Sequence, residues 1–562
     1  MNKFPGILIG TIFLSTVMHA QQKETTPNGW HMMDKEKDGY YGVSAQKAYD
    51  FLKAKNLKSK TVLVAVIDSG IDTLHEDLKP ILWTNPKEIP GNGVDDDKNG
   101  YVDDVHGWNF LGGKDGSNVK EDSYEAARVY HALKSKYDGK EINEYELNAA
   151  DKQEYTMWKK AKAKIMGEEE GGGGGDIVML RKLGVNLKQS DSILQKAMGK
   201  TVFTGTELEA WMPREVNDRK AKNSLLRLMK LNNQLEATNK EFLEGFDEYL
   251  AGEERKEESK NHAPKTYRAD VVKDDESNVN DRKYGNNDIM AATSMHGTHC
   301  SGIIGAVRNN GVGMDGIADN VRIMMLRAVP DGDEHDKDIA NAIRYAVDNG
   351  AQIISMSFGK DFSPQKQWVD DAFRYAESKN VLLVHAAGND NKNVDVEDNF
   401  PSVQYLNGKG RAGNVITVGA SGDPKNGGLT ASFSNYGKSE VDVFSPGVKI
   451  YSTLPGGNTY GNLNGTSMAC PLVAGIAALT LEYFPTLSAK QLKYVIEKSA
   501  QLPPYKVTKP GTDEMVNLSD ISKTGGIVNA YEALKLAATL KGENKITKPA
   551  LPKPKMVKGK KG

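Results

Sequence analysis

Apolar positions in this 562-residue chain fall into two kinds of run. The first kind is short, continuous and rich in β-branched side chains. It begins with Thr61-Val62-Leu63-Val64-Ala65-Val66-Ile67 and recurs at 321–326, 352–357, 381–385, 415–418 and 441–444. A run with no polar alternation predicts a strand covered on both faces, which is the condition of a parallel sheet. Helical spacing fills two of the gaps, at 338–348 and 365–379. Strands alternating with helices predict an α/β fold, a doubly wound and mostly parallel sheet flanked by helices. The second kind of run is longer and made of small residues, from Ser467-Met468-Ala469-Cys470-Pro471 to Leu479. It predicts a central buried helix, with Pro471 in or near the first turn, where its missing N–H costs little. A last core helix is expected over 527–540.

The pattern breaks between residues 112 and 285, where Lys, Glu, Asn and Leu dominate. Segments 121–166 and 190–260 have helix-forming composition, as in Leu225-Leu226-Arg227-Leu228-Met229-Lys230-Leu231. Between them, Gly167-Glu168-Glu169-Glu170 runs into five consecutive glycines, 171–175, a flexible break. The expectation is a charged, two-lobed helical insertion with a mobile waist, interrupting a catalytic domain formed by 58–111 and 286–540. A solvated spacer and a lid or partner-binding surface both fit this composition.

At the N-terminus, Lys3 precedes an apolar stretch over 4–17 and then Met18-His19-Ala20. This predicts a signal peptide over 1–20 and an exported protein, periplasmic or secreted. The stretch is shorter than the roughly 20 residues of a membrane span, so no integral span is expected in the mature form. Residues 21–57 form an N-terminal segment whose Gly42-Val43-Ser44-Ala45-Gln46-Lys47-Ala48-Tyr49 starts the first helix of the mature domain, and the Lys- and Pro-rich tail 541–562 is expected to be disordered. Lys plus Arg number 73 against 75 Asp plus Glu, a net charge of −2, which gives no electrostatic case for nucleic acid as a partner.

Chemistry concentrates in three motifs at the ends of these elements. Asp68 closes Val64-Ala65-Val66-Ile67-Asp68-Ser69-Gly70, His296 opens His296-Gly297-Thr298-His299-Cys300-Ser301-Gly302, and Ser467 lies in Gly465-Thr466-Ser467-Met468-Ala469. A serine hydroxyl needs a base to act as a nucleophile at neutral pH, an imidazole titrating at about 6.5 suits that task, and an acid orients the imidazole and stabilises its charged form. The order Asp, His, Ser differs from that of the chymotrypsin and α/β-hydrolase triads. On these motifs the chain resembles the subtilisin-like serine proteases, over about 61–110 and 286–540.

That resemblance implies an exported serine endopeptidase of broad specificity working through an acyl-enzyme, with Asp68, His296 and Ser467 as the triad and protein or peptide substrates. It implies Asn389, in Ala386-Ala387-Gly388-Asn389, as the oxyanion donor, and Ser357, Phe358, Gly359, Ala387 and Gly388 as the lining of the pocket before the scissile bond. His299 is read as a packing residue. Cys300 and Cys470, the two cysteines of the chain, fit no metal spacing and are expected to be buried and free. The resemblance implies that Asp331, Asp333 and Glu334 fall at the second substrate-binding edge, where they would either favour basic residues upstream of the cut or form a solvated acidic loop.

A cation is a separate expectation. In Asp95-Asp96-Asp97-Lys98-Asn99-Gly100-Tyr101-Val102-Asp103-Asp104, oxygen ligands alternate and Gly is sixth, as in the first half of an EF-hand loop, but the twelfth position is His106 and the closing Glu is missing. Asp95, Asp97, Asn99 and Asp103 are the candidate ligands of a structural Ca2+, and the family resemblance implies a second site at Asp77 and Asn310. Two rivals remain: an idle scaffold that binds a partner through the insertion, and an esterase or peptide ligase, which would share the acyl-enzyme.

Overall fold

The computed structural model describes residues 26–167, 177–231, 234–235, 237–291 and 294–544. The expected leader, residues 168–175 of the glycine waist and residues 545–562 of the tail lie outside the described residues. Seven strands form one parallel sheet: β1 Val62–Asp68, β2 Gly107–Asn109, β3 Val321–Arg327, β4 Ile353–Met356, β5 Leu382–Ala386, β6 Val415–Ser421 and β7 Val443–Pro446, in the order β2-β3-β1-β4-β5-β6-β7. The order turns at β1, and crevices at such points take ligands beyond the carboxyl ends of the strands. Asp68 is the last residue of β1.

The strand runs explain the layers. Val62, Val64 and Val66 point to one face, where they join a core built on the helix Thr466–Tyr483, while Ala65 and Ile67 point to the other, against Ile343 and Phe373 of the helices Asp336–Asp348 and Lys366–Ser378. Thr466–Tyr483 has the length and mean hydropathy of a membrane span, yet 89% of that window is buried in this core. Beside it runs the helix Met295–Gly305, with every residue from Gly297 to Gly305 buried. A hairpin of β8 Ile450–Leu454 and β9 Thr459–Leu463 caps this second helix, its Ser452 and Thr453 hydroxyls donating to the carbonyls of His299 and Thr298 at 2.8 Å each.

The insertion is more closely stitched to the sheet domain than an appendage would be. Its first helices, Glu125–Tyr137 and Ala149–Met166, share a core of Tyr130, Tyr137, Trp158 and Ile165 with Phe362 of the sheet domain. Ile177–Met198, Val216–Leu231 and Asn239–Glu258 form a second cluster around Leu187, Leu194, Leu225 and Met229. The return is locked by ions: buried Arg268 donates to Asp338 at 2.8 and 2.7 Å and to Asp274 at 2.6 and 3.0 Å, and Tyr284 donates to Asp338 at 2.7 Å. A fully desolvated arginine requires such pairing, because removing one partner leaves an uncompensated buried charge.

Candidate active site

Asp68 ends a strand, while His296 and Ser467 each lie in the first turn of a helix. Asp68 is 1% exposed, and its carboxylate meets His296 Nδ1 at 2.8 and 3.0 Å while its Oδ1 accepts from Ser69 N at 2.7 Å. His296 is the second residue of its helix and keeps 33% of its side chain exposed, so a substrate can reach the ring. Burial opposes charge on this imidazole, but the Asp68 carboxylate outweighs it and holds His296 well above the ordinary imidazole range. His299, one turn on, is buried and driven down to about 3 by desolvation, with Nε2 set 3.2 Å from the Gly461 carbonyl, as suits a packing residue.

Ser467 is the second residue of Thr466–Tyr483. Pro471 is sixth in that helix, just past its first turn, and its position has a consequence for the serine. Proline has no N–H to give the carbonyl four residues back, which here is that of Ser467. That carbonyl accepts instead from Ser357 Oγ at 3.0 Å and from Cys300 Sγ at 3.4 Å, tying the serine backbone to the end of β4 and to the histidine helix. The Ser467 hydroxyl itself donates to Ser357 O at 3.3 Å. Both cysteines are free and buried, and desolvation pushes the Cys470 thiol up to about 12.

Asn389 follows β5, and its side chain is fixed at one end only. Oδ1 accepts from Thr466 N and Thr466 Oγ1, both at 2.9 Å. The Nδ2 amide has no partner among the described residues and lies beside the N-terminus of the serine helix, where the Ser467 N–H is also unpaired. Two donors at a positive helix end are suited to a developing oxyanion. Gly388, at φ 100°, lets the chain turn into this position, and any Cβ there would come within 2.3 Å of Asn435 Nδ2.

Ser357, Phe358 and Gly359 leave the end of β4, and Ala387 and Gly388 leave the end of β5, the adjacent strand. Phe358 O faces His385 Nε2 at 2.9 Å, and Ala387 O accepts from Asn399 Nδ2 at 3.1 Å and Asn435 Nδ2 at 2.9 Å, so the two segments are held rigidly.

The opposite wall, 331–334, corrects the sequence reading. Asp331 pairs with Arg255 at 3.0 Å, Asp333 accepts from Glu125 N at 2.8 Å, and Glu334 is 2% exposed. Burial raises Asp333 and pushes Glu334 up to about 7. These acids are spent on the insertion and the interior, so they offer little free charge to an incoming basic side chain. The wall is also backed by an extended segment of the insertion paired through a parallel bridge: Asp331 N donates to Lys120 O at 2.9 Å, Asp122 N to Asp331 O at 2.8 Å, and Asp333 N to Ser123 O at 3.3 Å. Gly332, between them, makes no backbone hydrogen bond among the described residues. Arg128 then clamps the loop, donating to Ser123 O at 2.8 Å, to Asp333 O at 3.2 and 3.1 Å and to Glu334 O at 3.3 Å. Lys360, just past Gly359, bonds Glu125 Oε2 at 2.8 Å and Glu334 O at 2.7 Å. No sequence signal marks Arg128 or Lys360, because Arg128 reaches Asp333 and Glu334 from more than 200 positions away and Lys360 reaches back across the insertion to Glu125.

The candidate cation ligands divide. Asp95 and Asp97 stay together, joined by Glu88 from outside the alternating pattern. Asp103 does not join them: at φ 52° its carboxylate accepts from the N–H groups of Gly91, Asn92 and Gly93 at 2.9, 3.2 and 2.7 Å. Asn99 turns its amide nitrogen to Asp104 Oδ2 at 2.9 Å and its oxygen to Tyr101 N at 2.8 Å. Asp77 and Asn310 do meet, but through a direct hydrogen bond from the Asn310 amide to Oδ1, and Tyr460 OH donates to the other oxygen at 2.8 Å.

Comparison with known proteins agrees with this geometry. The family model of the subtilase family matches residues 59–520. Thermitase of Thermoactinomyces vulgaris is 37% identical over 240 residues, 42% of this chain and 74% of its own, and subtilisin DY of Bacillus licheniformis is 38% identical over 208 residues, 36% and 70%. A thermophilic serine proteinase of a Bacillus species is 43% identical over 185 residues, which span 33% of this chain and only 42% of that relative's length. Since the family match runs through both halves of the interrupted sheet domain, the chain belongs to the subtilase family of serine-type endopeptidases.

Proposed function

We propose that this protein is an exported endopeptidase of broad specificity that cleaves extended protein and peptide segments through an acyl-enzyme on Ser467 and is stabilised by calcium. The observation that carries this reading is the Asp68–His296 pair, 2.8 Å apart, set beside a helix N-terminus that presents Ser467 and the unpartnered Asn389 amide. In the first step the Ser467 oxygen bonds to the scissile carbonyl carbon while its proton passes to His296 Nε2. Asp68 holds the resulting imidazolium through Nδ1, and the Asn389 Nδ2 and Ser467 N–H groups receive the charge on the carbonyl oxygen. His296 then gives that proton to the leaving amine as the C–N bond breaks, and a water molecule repeats the sequence on the ester.

Substrate enters as an added strand between Gly332 and the 357–359 segment, a mode that reads main chain more than side chain. The insertion supports this cleft through residues 120–123, Arg128 and Glu125, which brace both walls. Arg128→Ala raises KM on a peptide of six or more residues at least fivefold and leaves kcat on a single-residue ester unchanged; equal effects on both substrates would remove the bracing role. The reaction class is tested with an unfolded protein, a peptide ester and an amine acceptor. Cleavage of the protein at many sites by wild type and at none by Ser467→Ala is expected, whereas ester or transfer products alone would favour the esterase or ligase reading. Export predicts a mature N-terminus at Gln21, read by Edman degradation of the protein from its source.

A further inference from the structure

The loop between β1 and β2 carries six carboxyl groups over 88–104, Glu88, Asp95, Asp96, Asp97, Asp103 and Asp104. Three of them, Glu88, Asp95 and Asp97, bring one carboxylate oxygen each within 4.8 Å of one another. The loop geometry alone would account for Asp95 and Asp97, since their oxygens accept from the N–H groups of Asn99 and Gly100 at 2.8 to 3.0 Å. It does not account for Glu88. This residue is 7% exposed, its Oε1 accepts from Asp97 N at 3.1 Å, and its Oε2 is buried with no hydrogen-bond partner among the described residues. A buried, unpaired carboxylate oxygen among two other carboxylates is strongly unfavourable unless a cation takes it. Lys87 stands 3.6 Å from Asp97 on a 65% exposed side chain, one loosely held charge against three.

We propose that Glu88, Asp95 and Asp97 form a calcium site in which Glu88, arriving from the segment before the loop, supplies the closing carboxylate that the EF-hand pattern lacks at His106. Three hard oxygen ligands from three carboxylates suit Ca2+, with Gly100 at φ 103° making the sharp turn such loops need. The role of Asp103 is then to shape the neighbouring turn at 91–93, and Asn99 braces Asp104. The site is well placed to matter for the active centre: the Asp103 carbonyl accepts from Asn287 Nδ2 at 3.2 Å, and the Ile289 carbonyl accepts from Ile71 N at 3.0 Å, just past the catalytic Asp68 and before the histidine helix.

This inference rests on the calcium part of the proposed function, and the test separates the two. The full chain carrying Ser467→Ala, which prevents self-digestion, is titrated with Ca2+ by calorimetry after chelation, and its melting temperature is read with and without the ion. Glu88→Gln keeps the shape and the acceptor for Asp97 N but places a neutral amide at the site. It is expected to weaken Ca2+ at least tenfold and to abolish the calcium-dependent rise in Tm, while its Tm in chelator equals or exceeds that of the parent. Asp95→Asn should weaken binding similarly. Asp96→Asn, which removes a charge from the same loop outside the cluster, should leave affinity within about threefold. Unchanged affinity in Glu88→Gln, with the parent binding Ca2+, overturns this site and leaves the calcium reading intact; a parent that binds no Ca2+ overturns both.

Discussion

Asp68→Asn is the substitution whose outcome the geometry specifies most fully. The Ser69 N–H donates to Asp68 Oδ1 at 2.7 Å, so in the variant the amide oxygen stays at that position to accept it, and the NH2 group falls where Oδ2 now faces His296 Nδ1 at 3.0 Å. The retained oxygen, 2.8 Å from Nδ1, is shared with the Ser69 N–H, while the new NH2 group opposes an N–H on Nδ1, so the balance shifts to the tautomer with its proton on Nε2, and the nitrogen that must accept the Ser467 proton is blocked. The wrong tautomer of this kind costs about 10⁴ in kcat, or about 5.5 kcal/mol of transition-state stabilisation. The pH profile should move as well. The carboxylate holds the imidazole above its ordinary range, and activity requires neutral His296, so wild-type kcat/KM rises with pH along an acid limb displaced upward. With the carboxylate gone, burial is opposed only by the nearby Cys300 thiol and the limb moves to lower pH. The assay is kcat/KM on a chromogenic peptide from pH 5 to 10, with circular dichroism to show that the fold persists. A loss below tenfold, or an acid limb that does not move, would refute the assignment of Asp68.

Other consequences are as definite. Asn389→Ala removes the unpartnered amide and should lower kcat by about 10²–10³ with KM nearly unchanged, measured on the same peptide. Glu334→Gln should stabilise the protein in a pH-dependent way. Burial raises this carboxyl from 4.5 to about 7, so between those values the folded chain holds a proton that the unfolded chain has lost, and wild-type stability falls as pH rises through that window. The variant should match wild type at pH 4 and exceed it by up to about 3 kcal/mol at pH 8, read from urea midpoints in the Ser467→Ala background; a difference independent of pH would count against it. Ser357→Ala leaves the Ser467 carbonyl with only the weak Cys300 thiol donor and should cost about 1 kcal/mol of stability, checked by the same denaturation.

What the sequence made legible was local. The β1 run and its five later counterparts needed no partner to be read, because burial on both faces writes a continuous apolar string, whereas β2, three residues of Gly-Trp-Asn, carries too little pattern to register. Asp68, His296, Ser467 and Asn389 were legible because each sits in a short motif at the end of an element. Glu88 was not: its place beside Asp95 and Asp97 comes from the path of the chain before the loop, and nothing in its own neighbourhood signals it. The EF-hand spacing assigned Asp103 to the ion, but a left-handed turn aims that carboxylate at three backbone N–H groups instead. The acidic wall at 331–334 misled for the opposite reason, since Arg255 pairs with Asp331, the Glu125 N–H holds Asp333, and Glu334 is buried. Charge read along a chain omits whatever partner the fold later supplies.

The central claim is that Ser467, activated by His296, is the nucleophile. Purified protein treated with a serine-reactive phosphonate and mapped by peptide mass spectrometry should carry one adduct, on Ser467, in wild type, and none in Ser467→Ala or His296→Ala. Absence of labelling in wild type, or an adduct on any other residue, would contradict the account.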